Sequence, residues 1–194
     1  MYKHHETSIE NMKDYFRKHG AIALILVGSV AKGTERANSD LDGVVILTEE
    51  EYAKKEKNHT TTETVDGLCT YEGGYFDIKY MTKQYLKDLA ERGSEPARNG
   101  FAKARILFCN DAEIEDLLLL IPVFQKTEKE EKLLSFYSDF WLNYHYFLKS
   151  CPIDGYMKMH SIVEIIYSIY RMILQENEIL FDCNRRLEQQ VESV

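Results

Sequence analysis

The residues best able to do chemistry sit close together in the first half of the chain. An uninterrupted apolar run, Ala21 to Val27, ends on Gly28-Ser29; ten residues separate Ser29 from Asp40-Leu41-Asp42, which opens a second apolar run, Val44 to Leu47. The first run is too short to span a membrane and suits a strand buried on both faces. Gly28 permits a sharp exit from it. A helix starting around Val30 would turn its first amides and positive end toward an anion such as a triphosphate, with the Ser29 hydroxyl as one more donor. Asp40 and Asp42, two apart in a pleated strand, project to one face. Two carboxylates pointing the same way repel unless a cation joins them. Hard oxygen ligands of this kind suit magnesium, which takes its remaining ligands from water and substrate phosphates.

Holding two such ions calls for a third acid. The candidate is Asp77, in Tyr75-Phe76-Asp77-Ile78-Lys79-Tyr80, where aromatic and β-branched residues predict a strand. Gly73-Gly74 just before it predicts a hairpin turn from Leu68–Glu72. In that strand Asp77 and Lys79 share a face with Tyr75, so Lys79 either lies beside the triphosphate or pairs with a carboxylate.

Gly28-Ser29, the intervening Ala31-Lys32-Gly33 and Ser39-Asp40-Leu41-Asp42, followed by the single acid Asp77, resemble the signature of the DNA polymerase beta-like nucleotidyltransferase superfamily over roughly Ala21 to Tyr80. The resemblance implies an α+β fold: a mixed β-sheet flanked by helices, then a small C-terminal helical domain. It implies two Mg2+ ions on Asp40, Asp42 and Asp77, with Asp77 also the proton acceptor. Gly28, Ser29 and Lys79 would then bind ATP or another nucleoside triphosphate. The implied reaction is transfer of a nucleoside monophosphate, AMP above all, onto an acceptor hydroxyl with release of pyrophosphate. Size and a helical second half are similar to small bacterial enzymes that adenylylate antibiotics or proteins, so the acceptor is a small-molecule or protein hydroxyl. One departure is Gly43, where a bulky apolar residue is usual. The rival reading is a catalytically decayed binding module, an antitoxin or regulatory subunit; a third is an RNA-modifying transferase.

Other phosphate and hydrolase motifs are excluded by the letters. Gly28 to Thr34 has the glycine spacing of a P-loop, but Lys32 precedes Gly33 and cannot reach the β and γ phosphates. Val30 occupies a position where a Rossmann fingerprint needs glycine, and Gly28-Ser29-Val30-Ala31 is not a nucleophile elbow. A formal charge of -8, with 32 acids against 24 bases, gives no basic footprint for a long nucleic acid. The four cysteines are irregularly spaced, which argues against zinc and against a disulfide framework. His4-His5 read as solvent-exposed. No secretory signal or membrane span is expected, so a cytoplasmic protein is.

Thr7 and Glu10 predict a capping box opening a helix that Gly20 ends. Thr48 and Thr82 predict caps for helices Glu49–Lys57 and Lys83–Arg92. Asn58 to Asp66 reads as a loop or edge strand, Gly93 to Asn99 as irregular, Ile106 to Cys109 as a last strand, and Ala112 to Ile121 as a helix. Strand signals stop near Pro122, predicting a catalytic domain over 1–122 and a helical substrate-binding or dimerisation domain over 123–194. There, stripes of Leu133, Tyr137, Phe140, Tyr144 and Phe147, and of Met159, Ile162, Ile166, Ile169 and Ile173, predict an antiparallel helix pair joined at Cys151–Gly155. The apolar residues nearly encircling the second helix predict deep burial or a homodimer interface. Lys149, Lys158 and Arg171 are further candidates for the triphosphate, and Glu164 for the acceptor. The last segment, Asn184 to Val194, reads as a shortened chain or one missing a third partner helix.

Overall fold

The computed structural model describes residues 1–194 and divides into two compact units, Met1–Pro122 and Val123–Val194. In the first, helix α1 (Lys3–Lys18) leads into strand β1 (Ala23–Leu26), the one-turn helix α2 (Gly28–Lys32) and strand β2 (Leu41–Leu47). Helix α3 (Glu49–Lys57), strands β3 (Thr62–Val65) and β4 (Phe76–Thr82), helices α4 (Lys83–Arg92) and α5 (Glu95–Gly100), strand β5 (Arg105–Cys109) and helix α6 (Ala112–Leu120) follow. The strands form one mixed sheet in the order β3-β4-β2-β1-β5, with β2 and β4 parallel and every other neighbour antiparallel.

Alternation along the strands builds two cores. Leu24, Leu26, Leu41, Val45, Phe76 and Ile78 face α1, which contributes Ile9, Met12 and Phe16. Ala23, Ile25, Val44 and Ile46 face the other way, against Leu86 and Leu89 of α4 and Ile114, Leu117 and Leu118 of α6. β1 is therefore buried on both faces, as its unbroken apolar run requires. Gly43 lies between β1 and β4, and a Cβ there would come within 2.8 Å of Ile78 Cδ1. Its neighbours already fill the space that the usual bulky residue would take.

Several local expectations are met. Thr48 and Thr82 cap α3 and α4 by accepting from the amides of Glu51 and Tyr85. Others are corrected. α1 begins at Lys3, so Thr7 lies inside it and donates its hydroxyl to the Lys3 carbonyl instead of capping; the aromatic packing of Tyr2, His4 and His5 extends the helix past the local signal. His5 is fully buried and not solvent-exposed, because the Tyr2, His4 and Tyr71 rings enclose it. Leu68–Glu72 forms no strand; the antiparallel partner of β4 is β3, with Thr64 opposite Asp77. Gly93 to Asn99 is not wholly irregular, because Pro96 sits in the first turn of α5 and buried Arg98 ties Gly93, Ala90 and Ile121 carbonyls together.

In the second unit, a short turn at Lys126–Glu128 leads into α7 (Lys129–Trp141), a π-helical stretch (Leu142–Ser150), α8 (Gly155–Glu176) and α9 (Leu187–Glu192). α7 and α8 pack antiparallel, with Lys129 at the start of one bonding the Glu176 carbonyl at the end of the other. The predicted stripes are not wholly buried: Tyr137, Tyr144, Met159, Ile166 and Ile169 are exposed. The winding changes at Leu142, so one 3.6-residue stripe cannot keep facing the same neighbour. No helix is long and apolar enough to cross a membrane.

Candidate active site

The candidate site lies at the end of the sheet where β1 leaves and β2 and β4 begin. Gly28 has φ +69°, and a Cβ built on it would meet Asp42 Oδ2 at 1.9 Å. The turn after β1 is thus packed directly on the Asp42 carboxylate, an approach open only to glycine. Ser29 is the second residue of α2, not a residue ahead of a helix starting at Val30. That helix has five residues and ends at Gly33 in the left-handed region, so any dipole it offers is that of a single turn. The Ser29 carbonyl accepts from the Thr34 amide at 3.0 Å, which closes the turn.

Asp42 and Asp77 are register partners on the parallel strands β2 and β4, which puts their backbones about 4.8 Å apart. Both are half-buried and project to the face opposite α1. Asp40 stands one residue ahead of β2, also half-buried. The Tyr75 phenol is held above its ordinary pKa, first by its interaction with the Asp40 carboxylate, then by desolvation, and last by the charges of Asp77 and Asp42. Lys79 is exposed two residues beyond Asp77 on the same strand face, with no ion-pair partner in the chain. It pairs with neither Asp40 nor Asp77, so the expected carboxylate pairing is not formed.

The donor set consists of hard carboxylate oxygens, a chemistry that fits a divalent cation of the magnesium type, and the bare Gly28 is what lets Asp42 Oδ2 lie against the turn. No group of three His, Cys, Asp or Glu side chains is gathered at metal-holding distances. The three acids share one end of the sheet without forming a closed cage.

Tyr75 and Tyr71 carry more than their strand or loop positions announce. Tyr71 donates to the Ser39 carbonyl at 2.5 Å, next to Asp40, and burial ahead of all other causes raises its pKa. Neither tyrosine stands in a motif, and only the pairing of distant segments could have found them. Lys32, in the stretch between the glycine turn and the acids, donates to Asn99 Oδ1 of α5 at 2.8 Å. In the second unit, Arg171 is buried, stacked on Phe136 at 4.6 Å and Phe181 at 4.2 Å, and donates to the Tyr167 hydroxyl. It is a structural cation there and not a candidate for phosphate. Lys149 and Lys158 are exposed, and Glu164 lines a groove of about 450 Å³ with Tyr167, Tyr170 and Leu187.

A five-stranded mixed sheet flanked by helices is the α+β arrangement of the nucleotidyl-transfer class. The chain belongs to the nucleotidyltransferase domain family, whose model matches residues 9–109, and so to the DNA polymerase beta-like superfamily of transferases. Among solved structures it is similar to a nucleotidyltransferase-like protein from Exiguobacterium sibiricum, at 11% identity and a TM-score of 0.51, covering 96% of this chain and 62% of that one. The chain thus spans about three-fifths of that neighbour's length. A second match, at 14% identity and a TM-score of 0.36, covers 96% of both chains and is a spectinomycin adenyltransferase from Enterococcus faecialis solved with ATP and spectinomycin. No curated protein matches the sequence.

Proposed function

We propose that the protein transfers a nucleoside monophosphate, AMP in the first instance, from a nucleoside triphosphate to the hydroxyl of a small molecule or protein. The observation that carries this reading is the placement of Asp42 and Asp77 as cross-strand neighbours, with Gly28 packed on one and Asp40 one residue ahead of β2 at the same end of the sheet. Asp40, Asp42 and Asp77 would hold magnesium, which when bound lowers the acceptor's pKa and neutralises charge on the departing pyrophosphate.

The residues of the chain do the rest. The half-buried Gly28-Ser29 turn offers a backbone amide and a hydroxyl to phosphate oxygens, and Lys79 adds a positive charge on the same strand face as Asp77. The acceptor oxygen attacks the α-phosphorus in line, the bond to the β-phosphate oxygen breaks, and Asp77 takes the hydroxyl proton. The helical unit supplies acceptor recognition or a homodimer contact, through aromatic residues such as Tyr137, Tyr144 and Tyr156 that it leaves exposed. A net charge of -8 favours acceptors other than long nucleic acid.

Incubation with α-labelled nucleoside triphosphates and magnesium, against aminocyclitol and aminoglycoside antibiotics and candidate proteins, tests this reading. Label should pass to one acceptor class. Asp42→Asn should fold as the parent does and lose transfer by at least about a hundredfold, the scale of an unneutralised transition-state charge. Full activity in that variant would remove the mechanism.

A further inference from the structure

Asp42 and Asp77 are held by the sheet, but Asp40 is not. Between α2 and β2 the chain from Thr34 to Asp40 has no strand partner, and its own bonds are confined to its ends and to the Arg36–Ser39 turn. Its remaining anchors come from outside. The N-terminal amine pairs with Glu35 at 3.4 Å, His4 Nε2 donates to the Ala37 carbonyl at 2.8 Å, and the Tyr71 hydroxyl donates to the Ser39 carbonyl at 2.5 Å. The Ser39 carbonyl belongs to the peptide that links Ser39 to Asp40.

The two side-chain donors form one assembly. The His4 and Tyr71 rings lie 4.6 Å apart, and the fully buried His5 ring packs edge-on against both, at 4.4 and 5.1 Å. The backbone carrying Tyr71 is tied to α1: Thr70 N donates to Ser8 Oγ, the Thr70 hydroxyl to the His4 carbonyl, and Asn11 to the Leu68 carbonyl. The first turns of α1 and the segment 68–71 thus form one body.

We propose that His4 and Tyr71 are positioning residues for Asp40: a clamp that fixes the Ser39–Asp40 peptide and so the direction in which this carboxylate leaves the chain. A metal ligand must be held to about 0.5 Å, which a loop residue achieves only if its peptide is anchored on both sides. Leu41 supplies the downstream anchor through its amide bond to the Tyr75 carbonyl. The clamp supplies the upstream one. This inference rests on the reading of Asp40 as a magnesium ligand.

Calorimetry of each of the four nucleoside triphosphates against wild type, Tyr71→Phe, His4→Ala and His4→Gln, over a range of magnesium concentrations, tests it together with thermal melting. Tyr71→Phe and His4→Ala should raise the half-saturating magnesium concentration roughly tenfold, the scale of lost outer-shell support, while melting temperatures stay close to wild type. His4→Gln, which keeps a donor for the Ala37 carbonyl, should restore much of the response. Lowered melting temperatures with unchanged magnesium half-saturation would make these contacts structural and overturn the clamp alone. No magnesium-dependent binding by wild type would refute the reading of the acids, and the clamp would fall with it.

Discussion

At the scale of single residues, Gly28 is the position where backbone and chemistry meet. Its positive φ alone costs an alanine about 1 kcal/mol. The second cost is local, because the new Cβ would occupy the place of Asp42 Oδ2 and force that carboxylate away. Gly20 separates the two effects: it has φ +75°, and nothing stands within 4 Å of where an added Cβ would lie. Gly20→Ala should lower stability by about 1 kcal/mol and leave nucleotidyl transfer intact. Gly28→Ala should lower stability at least as much and lose transfer. Denaturant melts beside the labelling assay read both. The glycine turn and the Asp40–Asp42 pair were legible through local patterns, a strand-ending glycine and a period of two, although β2 begins at Leu41 and leaves Asp40 outside the pleat; Asp77 was legible through the aromatic and β-branched strand around it. Tyr75 and Tyr71 were not, since each acts on a segment more than thirty residues away.

At the scale of elements, the helix starts after β2 and β4 show how much a short-range signal can fix. Thr82 is both the last residue of β4 and the cap of α4, buried at 5% exposure with its hydroxyl 3.1 Å from the Tyr85 amide. Thr82→Ala should cost about 1 kcal/mol, or roughly 2–4 °C in melting temperature for a chain of this size. Transfer activity below the melt should stay near wild type, because Asp77 lies at the other end of the strand. A large activity loss with an unchanged melt would contradict this separation. Where competing local signals were present, the nearer one misled. Gly73-Gly74 resembles a hairpin turn, yet β3, with its weak polar alternation, is the strand that pairs. Thr7 with Glu10 has the spacing of a capping box, but burial of His5 and Ser8 carries the helix back to Lys3.

At the scale of the whole molecule, each unit has its own buried cluster: the two faces of the sheet in the first, and Leu174, Phe181 and Leu187 in the second. Residues 1–122 should therefore fold cooperatively when expressed alone, with a single melting transition and retained magnesium-dependent nucleotide binding. A fragment without a cooperative melt would show that the helical unit is needed for the sheet to form. Transfer to an acceptor should be lost in that fragment if the helical unit provides acceptor recognition.

The sequence by itself determined the buried strands, the caps at Thr48 and Thr82, the glycine turn and the three candidate acids, because each depends on periodicity or on contacts within a few residues. Tertiary structure decided the order β3-β4-β2-β1-β5, the burial of His5, the stacking of Arg171 between two phenylalanines and the hold of His4 and Tyr71 on the loop before Asp40. Those outcomes depend on which distant segments meet, and a side chain's burial or partner is fixed only when the chain has closed around it.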